Sequence, residues 1–260
     1  MDTITGKLEI VFRTLFCFAD KFKLFSKRLK WDYLYNRGGC SVKELLSKCR
    51  SITSEKNLKS EIINTILISI LGILFGVLSK LLDNMSLNND ILWQRILGIV
   101  DLANIFSRLS IWALFAVGIA VFSKRPFRAS VNVFGFFIGM LMGYYTITIT
   151  VSGFFPKTYM IAWSIITLFT PIFAFLTWYA KGHGWLAVTL SGIIIGFFFT
   201  QAFSFGVWYI DVSYFAEVLC LVIATVLLYR DKIQLLLSLI VALTIAPLIQ
   251  FCLPYIFGGL

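Results

Sequence analysis

Arg108 and Glu217 are ionisable residues set in otherwise apolar stretches of this 260-residue chain. A charged side chain at the centre of a hydrocarbon-embedded helix costs roughly 2.5–3.5 kcal/mol on insertion scales, and less near the interface. Glu217 is therefore expected to face protein or water rather than lipid, and Arg108, at similar depth, is its natural partner. Such a pair can contact or gate a small polar solute, or it can fix two helices against each other. Other groups fall toward the same ends of their runs. Gln201, Thr146 and Thr200 offer hydrogen bonds, and Trp163, Tyr144 and Tyr145 offer amphipathic rings. Asp101, Asn104 and Arg108 share a helical stripe at i, i+3 and i+7. If these side chains converge, they line a polar, aromatic cavity open to one side of a membrane.

Catalytic chemistry has no visible basis. His183 is the only histidine and sits in a Lys181-Gly182-His183-Gly184 turn, where solvation is its ordinary fate. No H-E-x-x-H, G-x-S-x-G or paired intramembrane carboxylate occurs. No glycine-rich phosphate loop is present, and a metal site would lack ligands. A retinal Schiff base would need a lysine inside the last apolar run, which offers only Lys232 at its start. The sequence thus predicts no catalytic residue, no cofactor, no metal and no enzyme.

The elements that must position these residues follow from composition. The chain is 59% hydrophobic, 17% aromatic and only 14% charged, against roughly 25% charged in soluble domains. Residues 1–61 hold 13 of the 23 Lys and Arg, which marks a basic N-terminal region ahead of an apolar domain over 62–260. A membrane-crossing helix needs about 20 apolar residues. Runs at about 62–80, 105–123, 129–151, 159–180, 185–207, 212–229 and 233–253 meet that need, and none alternates as a barrel strand does. The expected fold is an all-α polytopic bundle of about seven transmembrane helices. Assigned to alternate loops, 19 basic residues fall on one side and 4 on the other. By the positive-inside rule this predicts a multi-pass cell-membrane protein with a cytoplasmic N-terminus and an external C-terminus. The net charge of +10 is then a topology signal, and no nucleic-acid signature accompanies it.

Within residues 7–30, Leu8, Val11, Phe12, Leu15, Phe18, Phe22, Phe25 and Leu29 share one helical face and most basic residues avoid it. Such a cytoplasmic amphipathic helix suits an anionic inner leaflet. Packing on the protein's own loops comes second, and a groove on a protein partner or a second copy third. Ser41 and Glu44 form a capping box that predicts a helix over about 41–50. The five cysteines lack C-x-x-C spacing, and three precede the first apolar run, so disulfides are not expected there.

Two glycine stripes predict close helix packing: Gly135, Gly139 and Gly143 in the third run, and Gly192 and Gly196 in the fifth. G-x-x-x-G also arises by chance in apolar sequence. Both stripes continue into hydroxyls, Thr146 and Thr150 in one and Thr200 and Ser204 in the other. The runs align at an offset of 57 residues, a thin hint of repeated hairpins. These features predict a small-solute binding or transport subunit, close-packed in its inner half and polar in its outer half. The alternative is an interaction or assembly protein that works through its basic N-terminal region.

Overall fold

The computed structural model of the chain describes residues 42–51, 58–85, 102–153, 156–205 and 210–252. The amphipathic segment 7–30, Ser41 and Asp101 lie outside them. The described residues form nine helices and one short hairpin: α1 (Val42–Cys49), α2 (Leu58–Asp83), α3 (Leu102–Ser107), α4 (Leu109–Phe122), α5 (Pro126–Ser152), α6 (Lys157–Ala180), α7 (Trp185–Ala202), β1 (Phe203–Phe205), β2 (Ile210–Val212), α8 (Phe215–Leu228) and α9 (Lys232–Cys252). Five of these, α2, α5, α6, α7 and α9, are long and apolar enough to cross a membrane.

Three expected spans are shorter than their apolar runs. The run over 105–123 breaks at Arg108, whose backbone is extended (φ −91°, ψ 145°) between α3 and α4. The indole Nε1 of Trp112 donates to the Phe106 carbonyl at 2.8 Å and braces the break. The runs ending near 207 and starting near 212 turn into the antiparallel hairpin, with Ser204 opposite Asp211. As a result α4 and α8 have 14 residues each, or about 21 Å of helix against a hydrocarbon core of about 30 Å.

Local chemistry sets the helix ends. Pro126 opens α5, a position where its missing N–H is no loss. Gly153 closes α5 in the left-handed region at φ 67°, which favours glycine. Pro171 lies inside α6 and cannot donate to the Thr167 carbonyl. The Thr170 hydroxyl does so instead at 2.8 Å, so no backbone acceptor is stranded in an apolar setting.

The glycine stripes pack backbone against backbone. A Cβ on Gly139 would overlap the Ser69 carbonyl oxygen, and one on Gly143 that of Ile73. From the other side, Gly72 and Gly76 of α2 press on the Phe136 and Met140 carbonyls. The contacts ascend together, so α2 and α5 are parallel. α7 and α9 form a second parallel pair, with Gly192 against Val241 and Gly196 against Ala242. The repeat hinted at by the 57-residue offset does not extend to the packing. The α5 stripe meets a helix earlier in the chain, and the α7 stripe meets a later one.

Two apolar clusters fill the interior. Trp112, Val133, Phe136, Met140 and Trp178 form the first. Ile195, Phe198, Cys220, Leu221, Ala224 and Ala242 form the second, which α4 joins through Val117 and Val121. Outside, Ile62, Ile66 and Leu74 of α2, Leu168 and Phe173 of α6, and Ile240 and Leu243 of α9 are exposed. Exposed apolar residues along several long helices make a surface suited to lipid rather than water.

Candidate functional site

The seven longer helices run between two polar ends of unlike character. One end carries Lys80, Asp83, Arg108, Tyr144, Trp163 and Glu217. The other, here the basic end, carries Arg50, Glu61, Lys124, Arg125, Arg128, Lys181, His183 and Arg230.

At the first end, a cavity of about 390 Å³ opens between the close of α2, the α3–α4 break, the far half of α5 and the start of α6. Lys80 and Asp83 of α2 lie on its wall with Tyr144 and Tyr145 of α5, Tyr159 and Trp163 of α6, and Trp112 of α4. Tyr144 Oη donates to Asp83 Oδ2 at 3.0 Å. Lys80 Nζ lies 3.9 Å from the same oxygen and 5.4 Å from the centre of the Tyr144 ring. Trp163 meets Trp112 edge to face, with ring centres 6.4 Å apart. The cavity therefore combines an ion pair, phenolic hydroxyls and aromatic walls.

Of the residues singled out from sequence, Trp163, Tyr144 and Tyr145 line this cavity. Arg108, Glu217, Gln201, Thr146 and Thr200 do not, which corrects the expectation that all of them converge. Glu217 sits in the first turn of α8, closer to the helix start than its run implied. It is 2% exposed. Its Oε1 lies 3.6 Å from Arg108 Nη1, and the Arg108 guanidinium stacks 3.5 Å above the Tyr214 ring. The pair therefore ties the α3–α4 break to the start of α8. It is a single contact, and Arg108 Nε and Glu217 Oε2 lack hydrogen-bond partners among the described residues.

The hydroxyls are engaged by their own helices. Thr146 Oγ1 donates to the Met142 carbonyl at 2.6 Å and Thr200 Oγ1 to that of Phe197 at 2.7 Å. Among the described residues, Gln201 Nε2 reaches Thr200 Oγ1, at 3.5 Å. Where water is scarce, the helix's own carbonyls are the nearest acceptors. A polar stripe in sequence is then no measure of a polar cavity.

Sequence reasoning missed Lys80, which closes the first apolar run, and Asp83, just beyond it, because a charge there marks the end of a run. Their i, i+3 spacing on a continuing helix was the available signal.

The basic end is a lattice of cations on helix termini. Glu61, 6% exposed in the first turn of α2, is hydrogen-bonded by Arg125. Arg128 Nη2 lies 2.7 Å from its other oxygen, at an angle that makes an ion pair rather than a hydrogen bond. Thr65 Oγ1 and Asn132 Oδ1 are 2.6 Å apart, and Asn132 Nδ2 donates to Ser123 Oγ. Arg50, just after α1, donates to the Trp178 and Val121 carbonyls at 2.8 and 3.0 Å and lies 4.2 Å from the centre of the Trp178 indole. One cation thus caps the C-termini of α4 and α6, where the helix dipole is negative. Lys181 Nζ does the same for α8 through the Leu227 and Tyr229 carbonyls. Burial first, then the charge of Arg230, pulls both Arg50 and Lys181 below their ordinary pKa values. His183 is an exposed loop residue, as read, and it is also held: its Nε2 lies 2.9 Å from Arg230 Nη2, and its backbone N–H donates to the Cys49 carbonyl.

Among the described residues no three His, Cys, Asp or Glu side chains gather as a metal site would require. Cys49 and Cys220 are both free and buried.

Comparison with protein-family models, with curated proteins and with solved structures gives no match to this chain. The class of protein therefore rests on its own fold: a helical bundle with five membrane-length apolar helices, the build of an integral membrane protein.

Proposed function

We propose that this chain crosses the cell membrane seven times, cytoplasmic at its N-terminus, and binds or transports a small solute in a cavity open to the outside. The basic end is then cytoplasmic. The short helices α4 and α8 count as crossings because they join the same two ends as the long ones. Arg108 and Glu217 meet at one end, and at the other Arg50 and Lys181 take up their last carbonyls.

The observation that carries the solute reading is the cavity of about 390 Å³ walled by Lys80, Asp83, Tyr144, Tyr159 and Trp163. The Lys80–Asp83 pair is charge-balanced, so a neutral or zwitterionic solute enters without leaving a net buried charge. The Arg108–Glu217 pair acts beside it as a brace between helices. Residues 7–30 bind the anionic inner leaflet.

A thermal-shift screen tests this. Purified protein is heated with amino acids, monosaccharides, small organic cations and short carboxylates. A neutral or zwitterionic solute is expected to raise Tm in the parent, to fail in Asp83→Asn and Trp163→Ala, and to act normally in Glu217→Gln. A stabilising solute indifferent to both cavity changes would overturn the site.

The interaction reading keeps one supporting observation, the docking of Arg50 on two helix termini, which fixes residues 42–50 to the bundle. Deleting residues 1–41 separates the two readings, since solute stabilisation survives that deletion only if the bundle carries the function.

A further inference from the structure

A second cavity, of about 640 Å³, lies at the basic end between α2, α4 and α8 and is open at the side. Its walls are apolar: Leu67 and Ile68 of α2, Leu114 and Phe115 of α4, Ile223 and Leu227 of α8. Its mouth is polar and holds Glu61, Asn64, Lys124 and Arg128. From Lys124 to Leu114 the wall runs ten residues, about 15 Å at 1.5 Å per residue. That is half of a hydrocarbon core of about 30 Å, the depth of one leaflet.

Charge and glycine placement say what fills the groove. Among the described residues, Lys124 and Arg128 line the mouth with Glu61, and Arg125 reaches it through its pair with Glu61, a net charge of +2. Lys124 is exposed. On the groove wall, Gly118 lies within α4, and a Cβ there would meet only Leu227 Cδ1, at 4.0 Å. Unlike the glycines of α2 and α5, Gly118 permits no close helix approach. What it does is keep the groove wide.

We infer that this groove holds one acyl chain of an anionic phospholipid from the leaflet on the basic side, with its phosphate on Lys124 and Arg128. The inference is independent of the solute cavity. The chain's own segment 7–30 is a poorer occupant, because its basic residues exceed its acidic ones by five and the mouth would repel it.

The test uses full-length protein in nanodiscs of mixed phosphatidylglycerol and phosphatidylcholine, released for native mass spectrometry. The parent is expected to retain one phosphatidylglycerol in preference to phosphatidylcholine. Lys124→Gln should lower that preference about fivefold, the factor one basic residue at an anionic surface is worth. Gly118→Leu, which fills the groove, should abolish retention of either lipid, whereas Gly118→Ala should not. A photo-crosslinker at Leu67, which is 57% exposed on the groove wall, tests the occupant without disturbing Gly118 and should capture lipid. Equal retention of the two lipids, undiminished retention in Gly118→Leu, crosslinking to residues 7–30, or displacement by millimolar inorganic phosphate would each overturn the assignment.

Discussion

The Arg108–Glu217 contact predicts an asymmetric double-mutant cycle. At 3.6 Å and an effective dielectric constant near 20, the pair attracts by roughly 4–5 kcal/mol before desolvation is counted. The partners differ in burial, with 2% of the Glu217 side chain exposed against 29% for Arg108. Arg108→Met leaves a carboxylate sealed in the bundle without its cation, an arrangement that costs about 3–5 kcal/mol. Glu217→Gln leaves a cation that still stacks on Tyr214 and reaches solvent, so its cost should be nearer 1–2 kcal/mol. Combining Arg108→Met with Glu217→Gln removes both buried charges together and should cost less than Arg108→Met alone. The expected coupling is about 2–4 kcal/mol, read from unfolding equilibria in mixed micelles with helicity as the signal. Equal single-variant costs with a coupling below about 0.5 kcal/mol would refute the reasoning, because the two charges would then not share a low-dielectric site.

The glycines should divide by what their Cβ would meet. Gly139→Ala must push α2 and α5 apart against the Ser69 carbonyl and is expected to cost about 2 kcal/mol or more. Gly196→Ala, with its nearest neighbour the Ala242 carbonyl oxygen at 3.3 Å, should change stability by less than about 1 kcal/mol, since alanine's helix propensity offsets the crowding. Both values can be read from midpoints of thermal unfolding in detergent. Arg50→Met removes two charge-assisted bonds from a half-buried site, about 2 kcal/mol of α1 docking. Maleimide labelling of buried Cys49 should then quicken by about thirtyfold. In the parent, burial pushes the Cys49 thiol up, with the His183 and Ala187 backbones pulling back. A raised acid favours the folded state fully below the free-thiol range of about 8.5 and loses that advantage as pH climbs toward the raised value. Alkylation of the parent should accordingly lag behind a free thiol as pH is raised through that range. Tyr144→Phe removes the hydrogen bond to Asp83 and should lower stability by about 1 kcal/mol in the same unfolding assay.

The helices were largely legible because hydrocarbon-length apolar runs have few alternatives to helix. Helix α6 falls within two residues of its run, and α9 within one. The glycine stripes correctly marked close packing, but sequence could not name the partner helix, because every apolar helix presents a similar surface. Two boundaries failed for definite reasons. Arg108 adopts extended backbone four residues into an apolar run, where Tyr214 and Glu217 from a distant segment hold its side chain. The strand Phe203–Phe205 continues the apolar run of α7, so hydropathy could not separate the two. The site was read in part. Trp163 and Tyr144 lie on the cavity wall, whereas Thr146 and Thr200 turn their hydroxyls back onto their own helices. Lys80 and Asp83 went unread because a charge at or just past the end of an apolar run marks its limit until the helix is seen to continue.

The most direct measurement is reaction of a single introduced cysteine at Leu141, a half-buried position on the wall of the cavity, with a membrane-impermeant thiol reagent applied from the side opposite the basic loops. Ser238→Cys, at a position 2% exposed in the packed α7–α9 interface, is the control. The cavity account predicts modification of Leu141→Cys at a rate that Trp163→Phe raises and that a stabilising solute suppresses, with Ser238→Cys inert. A folded Leu141→Cys protein as unreactive as the control, or one modified only from the basic side, would contradict it.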